Sequence, residues 1–193
     1  MSPRRHGRRP RRADGGDTGA SAPRPPTRER AWEYLLNLLT RQDYTVAELR
    51  SKLARRGVGG DTAEELLARL VELGLVDDEA YAERYVSSRS QSHGRIALRR
   101  ELVRRGVDEE VVEPHLDTLD PEQQASAATA LLRKNAWRYR PEEPDAEAGA
   151  EGDHARFARL KRAEARARAF LARRGFDPDA VQAAIEAVGW FET

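Results

Sequence analysis

Apolar residues recur along this chain at helical spacing. Trp32, Leu35, Leu36 and Leu39 stand at i, i+3, i+4 and i+7, one stripe on a 3.6-residue period. The spacing predicts a helix from about Glu29 to Thr40. Thr45 with Glu48 has the form of a capping box and opens a second helix, which ends at Gly57. Asp61 with Glu64 has the same form and opens a third, with Ala63, Leu66, Leu67 and Leu70 inward and Gly74 at its end. The pattern then begins again. Asp77-Asp78 reads as a helix cap ahead of an inward face made by Tyr81, Ala82, Tyr85 and Val86. Gly94 breaks the chain, and Leu98 and Leu102 carry the next helix to Gly106. Asp108 is expected to cap a helix whose inward residues are Val112, Leu116 and Leu119.

A third round follows. Asp120-Pro121 is an N-cap with proline at the first helical position, ahead of Ala128, Leu131 and Leu132. A long helix is expected from about His154 to Arg174, with Leu160, Ala163, Ala167, Phe170 and Leu171 inward. Asp177-Pro178 opens the last helix, where Val181, Ala184, Ile185 and Val188 repeat the stripe. No stretch alternates as a strand does. The expected fold is all-α: nine helices in three tandem three-helix, helix-turn-helix-like repeats forming an elongated curved array.

The repeat is anchored by one short stop signal. It reads Leu53-Ala54-Arg55-Arg56-Gly57-Val58, then Leu102-Val103-Arg104-Arg105-Gly106-Val107, then Leu171-Ala172-Arg173-Arg174-Gly175-Phe176. Arginine in the last turn suits the negative end of the helix dipole. Glycine just past it supplies a left-handed cap. Three copies with nearly the same letters mean a repeated module. The second leucine follows the first by 49 residues and the third follows the second by 69.

Charge sets the boundaries. Residues 1–29 read as a disordered basic arm, and nine arginines face three carboxylates between Met1 and Arg30. Repeat one is expected over 30–75, repeat two over 76–119 and repeat three over 120–193. An acidic insert at 141–153 carries six carboxylates and no base, and accounts for much of the longer second spacing. The net charge of +1 therefore conceals a basic arm and an acidic insert. There is no cysteine among the 193 residues, which excludes disulfides and thiolate chemistry. No run approaches the ~18 apolar residues of a membrane span, and the arginine-rich start lacks a secretory core. A cytoplasmic protein without membrane association is expected.

Little in the chain points to catalysis. His6, His93, His115 and His154 have no ligand spacing among them, so no metal is expected. Gly57, Gly59 and Gly60 have no preceding strand and no following Lys-Ser/Thr, so they are not a phosphate loop. Trp32, Trp137 and Trp190 are expected as core anchors or module-joint fillers rather than stacking platforms. What remains is a run of basic middle helices. They carry Arg50, Lys52, Arg55 and Arg56, then Arg95, Arg99, Arg100, Arg104 and Arg105, then eight more basic residues between Arg156 and Arg174. Carboxylates such as Glu64, Glu65, Glu109 and Glu110 fall on other helices. Stacked modules would align these helices into an extended basic stripe, suited to an extended acidic partner. The plainer alternative is that the arginines solvate helix faces and complement dipoles.

The run Gly74-Leu75-Val76-Asp77-Asp78-Glu79-Ala80-Tyr81-Ala82-Glu83-Arg84-Tyr85-Val86-Ser87-Ser88-Arg89 resembles the central signature of the RecX family. That signature has an acidic pair, an aromatic-alanine step, an aromatic-valine step and an arginine. Gly94, Leu98, Glu101-Leu102 and Arg104-Arg105-Gly106-Val107 continue the likeness, which covers about residues 30–190. Arginine and valine stand where the family usually has lysine and isoleucine around the glycine, and Arg95 stands where proline often follows Gly94. The basic arm and acidic insert depart from the common pattern.

The resemblance implies a non-enzymatic regulator, mainly an inhibitor, of the RecA recombinase. Such a protein binds the groove of the RecA–single-stranded DNA filament. There it limits filament growth, ATP hydrolysis, strand exchange and coprotease activity. It implies RecA and single-stranded DNA as partners, double-stranded DNA as a further one, a monomer, and no cofactor. The expected contact residues are Arg89, Arg95, Arg99, Arg100, Arg104 and Arg105 of the middle repeat, with Arg55, Arg56, Arg173 and Arg174 from the outer stop signals. They would make charge-assisted contacts with carboxylates or phosphates. The alternative is a stand-alone helix-turn-helix-like DNA-binding or architectural protein. A short α-solenoid scaffold is a third reading.

Overall fold

The structure, a computed structural model, describes residues 26–141 and 152–191. Most of the basic arm and of the acidic insert lie outside the described residues. Helix α1 spans Arg28–Leu39, α2 Val46–Arg55 and α3 Gly60–Glu72. Helix α4 spans Asp78–Arg89, α5 Arg95–Arg104 and α6 Glu109–Asp117. Then come α7 at Pro121–Lys134, a single turn α8 at Ala136–Tyr139, α9 at Asp153–Arg173 and α10 at Pro178–Val188. The described residues thus hold ten helices, one more than the sequence pattern indicates, and no strand. Helix α1 begins one residue before the expected Glu29, at Arg28 within the basic arm, and α9 takes up Asp153 from the end of the insert.

Three separate clusters of buried residues form the core. Ala31, Leu35, Leu49, Leu53, Leu67 and Leu70 centre the first. Tyr81, Ala82, Val86, Leu98, Leu102, Val107, Val112 and Leu116 make the second. Ala128, Leu132, Ala167, Leu171, Phe176, Ala184 and Ile185 make most of the third. Each fully buried leucine contributes about 2 kcal/mol of apolar transfer energy. The stop-signal leucines Leu53, Leu102 and Leu171 are all at 0% exposure. The letters that mark the repeat therefore also centre each core.

Several local expectations change. Leu36 is 37% exposed and Trp32 only half-buried, because Ala31 and Leu35 form the inward line of α1. Asp61 does not cap α3: the helix starts at Gly60 behind an N-cap at Gly59, with no side-chain cap bond. Asp108 sits at the N-cap of α6 but makes no side-chain cap bond. Trp137 is 80% exposed and anchors nothing. Helix α7 breaks at Asn135, and the separate turn α8 sends Tyr139 inward instead, stacked on Phe170 at 4.8 Å between ring centroids. Trp190 packs against the third core half-buried.

Candidate partner-binding grooves

The second and third stop signals do more than end a helix. Each one seats the start of the middle helix of the repeat before it. At the first joint the Thr45 hydroxyl donates to the Arg105 carbonyl at 2.7 Å. The same oxygen accepts the Glu48 N–H at 3.1 Å, and Glu48 accepts the Thr45 N–H, completing a capping box. Asp77 caps its own helix through the Ala80 N–H, while Asp78 reaches across to accept the Val46 N–H at 3.0 Å. The acidic pair thus caps two helices in two repeats. Burial, opposed by the Val46 bond, holds the Asp78 carboxyl above its ordinary range, with Asp108, Asp77 and Glu48 adding to the rise.

The second joint has the same plan in backbone atoms. The Gly94 N–H donates to the Arg174 carbonyl and the Ile96 N–H to the Gly175 carbonyl, both at 3.0 Å. Gly94 lies 49 residues after Thr45, so an amide hydrogen does here what a hydroxyl does there. A Cβ on Gly94 would overlap the backbone of Gly175 and Phe176. Gly175 sits at φ +79°, and a Cβ there would overlap Ala97. Gly106, at φ +81°, would meet the Ala47 side chain. Glycine is needed at these stops both for the left-handed backbone and for the closeness of the neighbouring helix. Gly57, with no repeat before it, has open space around it.

Each joint leaves a basic groove beside it. The first encloses about 430 Å³ and is lined by Lys52, Arg55, Arg104 and Arg105, with Glu48 among them. The second encloses about 380 Å³ and is lined by Arg89, Arg100, Arg173 and Arg174, with Tyr85, His93 and Glu101. The cap arginines of one repeat therefore face the middle helix of the repeat before it, twice.

The expected contact residues separate into three groups. Arg55, Arg104 and Arg105 come together in the first groove, and Arg89, Arg100, Arg173 and Arg174 in the second. Arg95 and Arg99 join neither. Arg95 pairs with Glu113 at 2.9 Å and Asp117 at 2.8 Å, and Arg99 with Glu109 at 3.0 Å and also with Glu113. Arg56 lies over the Tyr34 ring at 3.7 Å. The single continuous stripe gives way to two grooves, because α3 and α6 fold back beside the middle helices. Their carboxylates, read from sequence as lying elsewhere, reach the arginines: Glu64 holds Arg50 at 2.6 Å. Such exposed pairs add little stability, but they occupy the charge.

Arg105 is partly enclosed. It pairs with Glu48 at 3.0 Å and Glu101 at 3.2 Å and donates to the Tyr81 hydroxyl at 2.9 Å. Burial works against its charge, but Tyr81, Glu48 and Glu101 outweigh it and leave the guanidinium more basic than usual. In the second groove His93 lies among cations. Burial lowers its basicity first, Arg174 and Arg89 lower it further, and Glu101 opposes them. Its Nδ1 is 3.0 Å from the Ser92 hydroxyl. Sequence reasoning passed over Thr45 and Asp78 as joint residues and His93 as a groove residue. The repeat offset would have exposed the pairing of Thr45 with Gly94. Nothing along the chain marks His93.

The family model for the first three-helix domain of RecX matches residues 31–70, and that for its second three-helix domain matches residues 77–116. The chain is 41% identical over 165 residues to "Regulatory protein RecX" of Mycobacterium sp. (strain JLS), covering 82% of this chain and 84% of that one. It is 41% identical over 139 residues to the protein of that name from Thermobifida fusca (strain YX), covering 69% and 75%. The crystal structure of RecX from Lactobacillus salivarius superposes with a TM-score of 0.68 at 22% identity, covering 84% of this chain and 96% of that one.

Proposed function

The chain belongs to the RecX family, and on that premise we propose that it restrains the RecA recombinase. It binds in the groove of the RecA–single-stranded DNA filament and limits filament growth, ATP hydrolysis, strand exchange and coprotease activity. It acts in the cytoplasm as a monomer, by binding rather than by catalysis, and needs no cofactor.

The observation that carries this reading is the repeated joint. Two basic grooves on one tied array present guanidinium groups at intervals along the protein. An extended filament meets them in sequence, so weak contacts act together through effective concentration. Inhibition follows to the extent that a capped filament binds the array better than a growing one does. Stand-alone duplex reading is less well supported: two of the arginines of α5, Arg95 and Arg99, are tied to carboxylates of α6. The test is recombinase ATPase and strand exchange with this protein added at substoichiometric to equal ratios. Dose-dependent inhibition is expected, and unchanged rates across salt concentrations would end the reading.

A further inference from the structure

Each groove is lined by four cations and one carboxylate, but the two differ in how their cap arginines are paired. In the first, the cap arginines are neutralised. Arg104 pairs with Glu101, and Arg105 with Glu48 and Glu101. Both carboxylates are lost when the repeat is shifted into the second groove. The residue equivalent to Glu48, 49 positions on, is Ala97. The residue equivalent to Glu101, 69 positions on, is Phe170. Arg174 accordingly lies over the Phe170 ring at 5.6 Å, and Arg89 over the Tyr85 ring at 5.3 Å. An aromatic ring orients a guanidinium without cancelling its charge. Arg100 and Arg173 are exposed and have no side-chain or ion-pair partner among the described residues. Glu101, the carboxylate on this groove's wall, is held by Arg104 and Arg105 on its other side.

Four guanidinium groups thus converge on about 380 Å³ without matching anions. We propose that the groove between the second and third repeats is a binding site for a multiply charged phosphate group. Guanidinium forks match phosphate oxygens two at a time, and several converging forks favour a compact polyanion over a single carboxylate. His93 on the groove wall adds a proton-linked donor. The Ser92 hydroxyl donates to the Arg89 carbonyl at 3.2 Å, so its oxygen is free to accept from Nδ1. That leaves Nε2 to take up a proton when an anion offsets Arg89 and Arg174. The phosphate can come from a nucleic-acid strand or from a free polyphosphate. This inference narrows the partner contacts proposed above to one groove, and it is tested without recombinase.

The probes are inorganic tripolyphosphate and oligothymidylate with and without a 5′-phosphate, titrated calorimetrically into the full-length protein at low salt. Tripolyphosphate is expected to bind with one-to-one stoichiometry. Arg100→Ser with Arg173→Ser is expected to lower its affinity about tenfold or more, since each loss removes a charge-assisted contact. Arg104→Ser, in the first groove, is expected to change it less than about twofold. Arg173→Lys with Arg100→Lys is expected to restore part of the affinity, which a folding defect would not. Displacement of tripolyphosphate by the oligonucleotide assigns the site to strand phosphate, with a gain from the 5′-phosphate pointing to strand ends. Binding of tripolyphosphate without displacement assigns it to a free polyphosphate. No tripolyphosphate binding, or equal binding by the double serine variant, overturns the site. Filament inhibition measured on the same variants separates this outcome from failure of the regulatory reading.

Discussion

The hydroxyl of Thr45 donates to the carbonyl of Arg105 at 2.7 Å, joining the N-cap of one repeat's middle helix to the C-cap of the next repeat's. Thr45 is at 0% exposure and also accepts the Glu48 N–H. Replacing it removes a cap and a buried joint bond together. Thr45→Ala is expected to destabilise the fold by about 1–2 kcal/mol, the range of a lost N-cap. Urea unfolding measures this, and a midpoint equal to the parent's would refute the joint role.

Gly175 and Gly57 occupy the same position in the repeat at nearly the same φ, +79° and +76°. They differ in what lies next to them. Gly57→Ala is expected to cost only the left-handed backbone penalty, about 1 kcal/mol. Gly175→Ala adds overlap with Ala97 and is expected to cost roughly 3 kcal/mol. Comparing the two variants in one unfolding series checks the claim. Equal costs would mean that close approach at the second joint does not matter.

Asp78 serves the joint as an acceptor and gains nothing from its charge, which burial disfavours. Asp78→Asn keeps an acceptor for the Val46 N–H and is expected to be nearly neutral. Asp78→Ala is expected to lose about 1 kcal/mol, as a lost cap does. The pair of melting temperatures decides, with Asn above Ala.

Arg99 and Arg100 are neighbours with opposite fates. Arg99 is held by Glu109 and Glu113, whereas Arg100 lines the second groove. Arg100→Glu is expected to raise the concentration needed for half-inhibition of recombinase ATPase several-fold. Arg99→Glu is expected to leave it unchanged. The reverse ranking would place the contact on the α5–α6 face.

Stability is expected to depend on His93 near neutrality. Its folded-state basicity is lowered, so below its ordinary value of about 6.5 the unfolded chain binds the proton more readily. Stability therefore rises with pH through that region and is lost as pH falls toward the folded value. His93→Gln is expected to flatten this part of the curve, as read from urea midpoints between about pH 5.5 and 7.5. An unchanged slope would remove His93 from the account.

The break at Asn135 and the separate turn α8 are not legible in the chain, whereas nine of the ten described helices, their order and the module spacing are. They rest on local chemistry, namely apolar residues at helical period, caps and glycine stops, and each acts within a few residues of itself. Leu53, Leu102 and Leu171 identify the cores for the same reason. The candidate grooves are only half legible. The cap arginines can be read off, but which of them keeps a free charge depends on residues far away in sequence. Glu48 neutralises Arg105 across 57 positions, and Glu109 returns to Arg99 only because α6 packs along α5. A one-dimensional pattern records that a carboxylate exists and not which side chain it reaches. The repeat itself was therefore set by sequence. Tertiary packing decided that its charge gathers at the joints, since only there do the end of one repeat and the start of another share space.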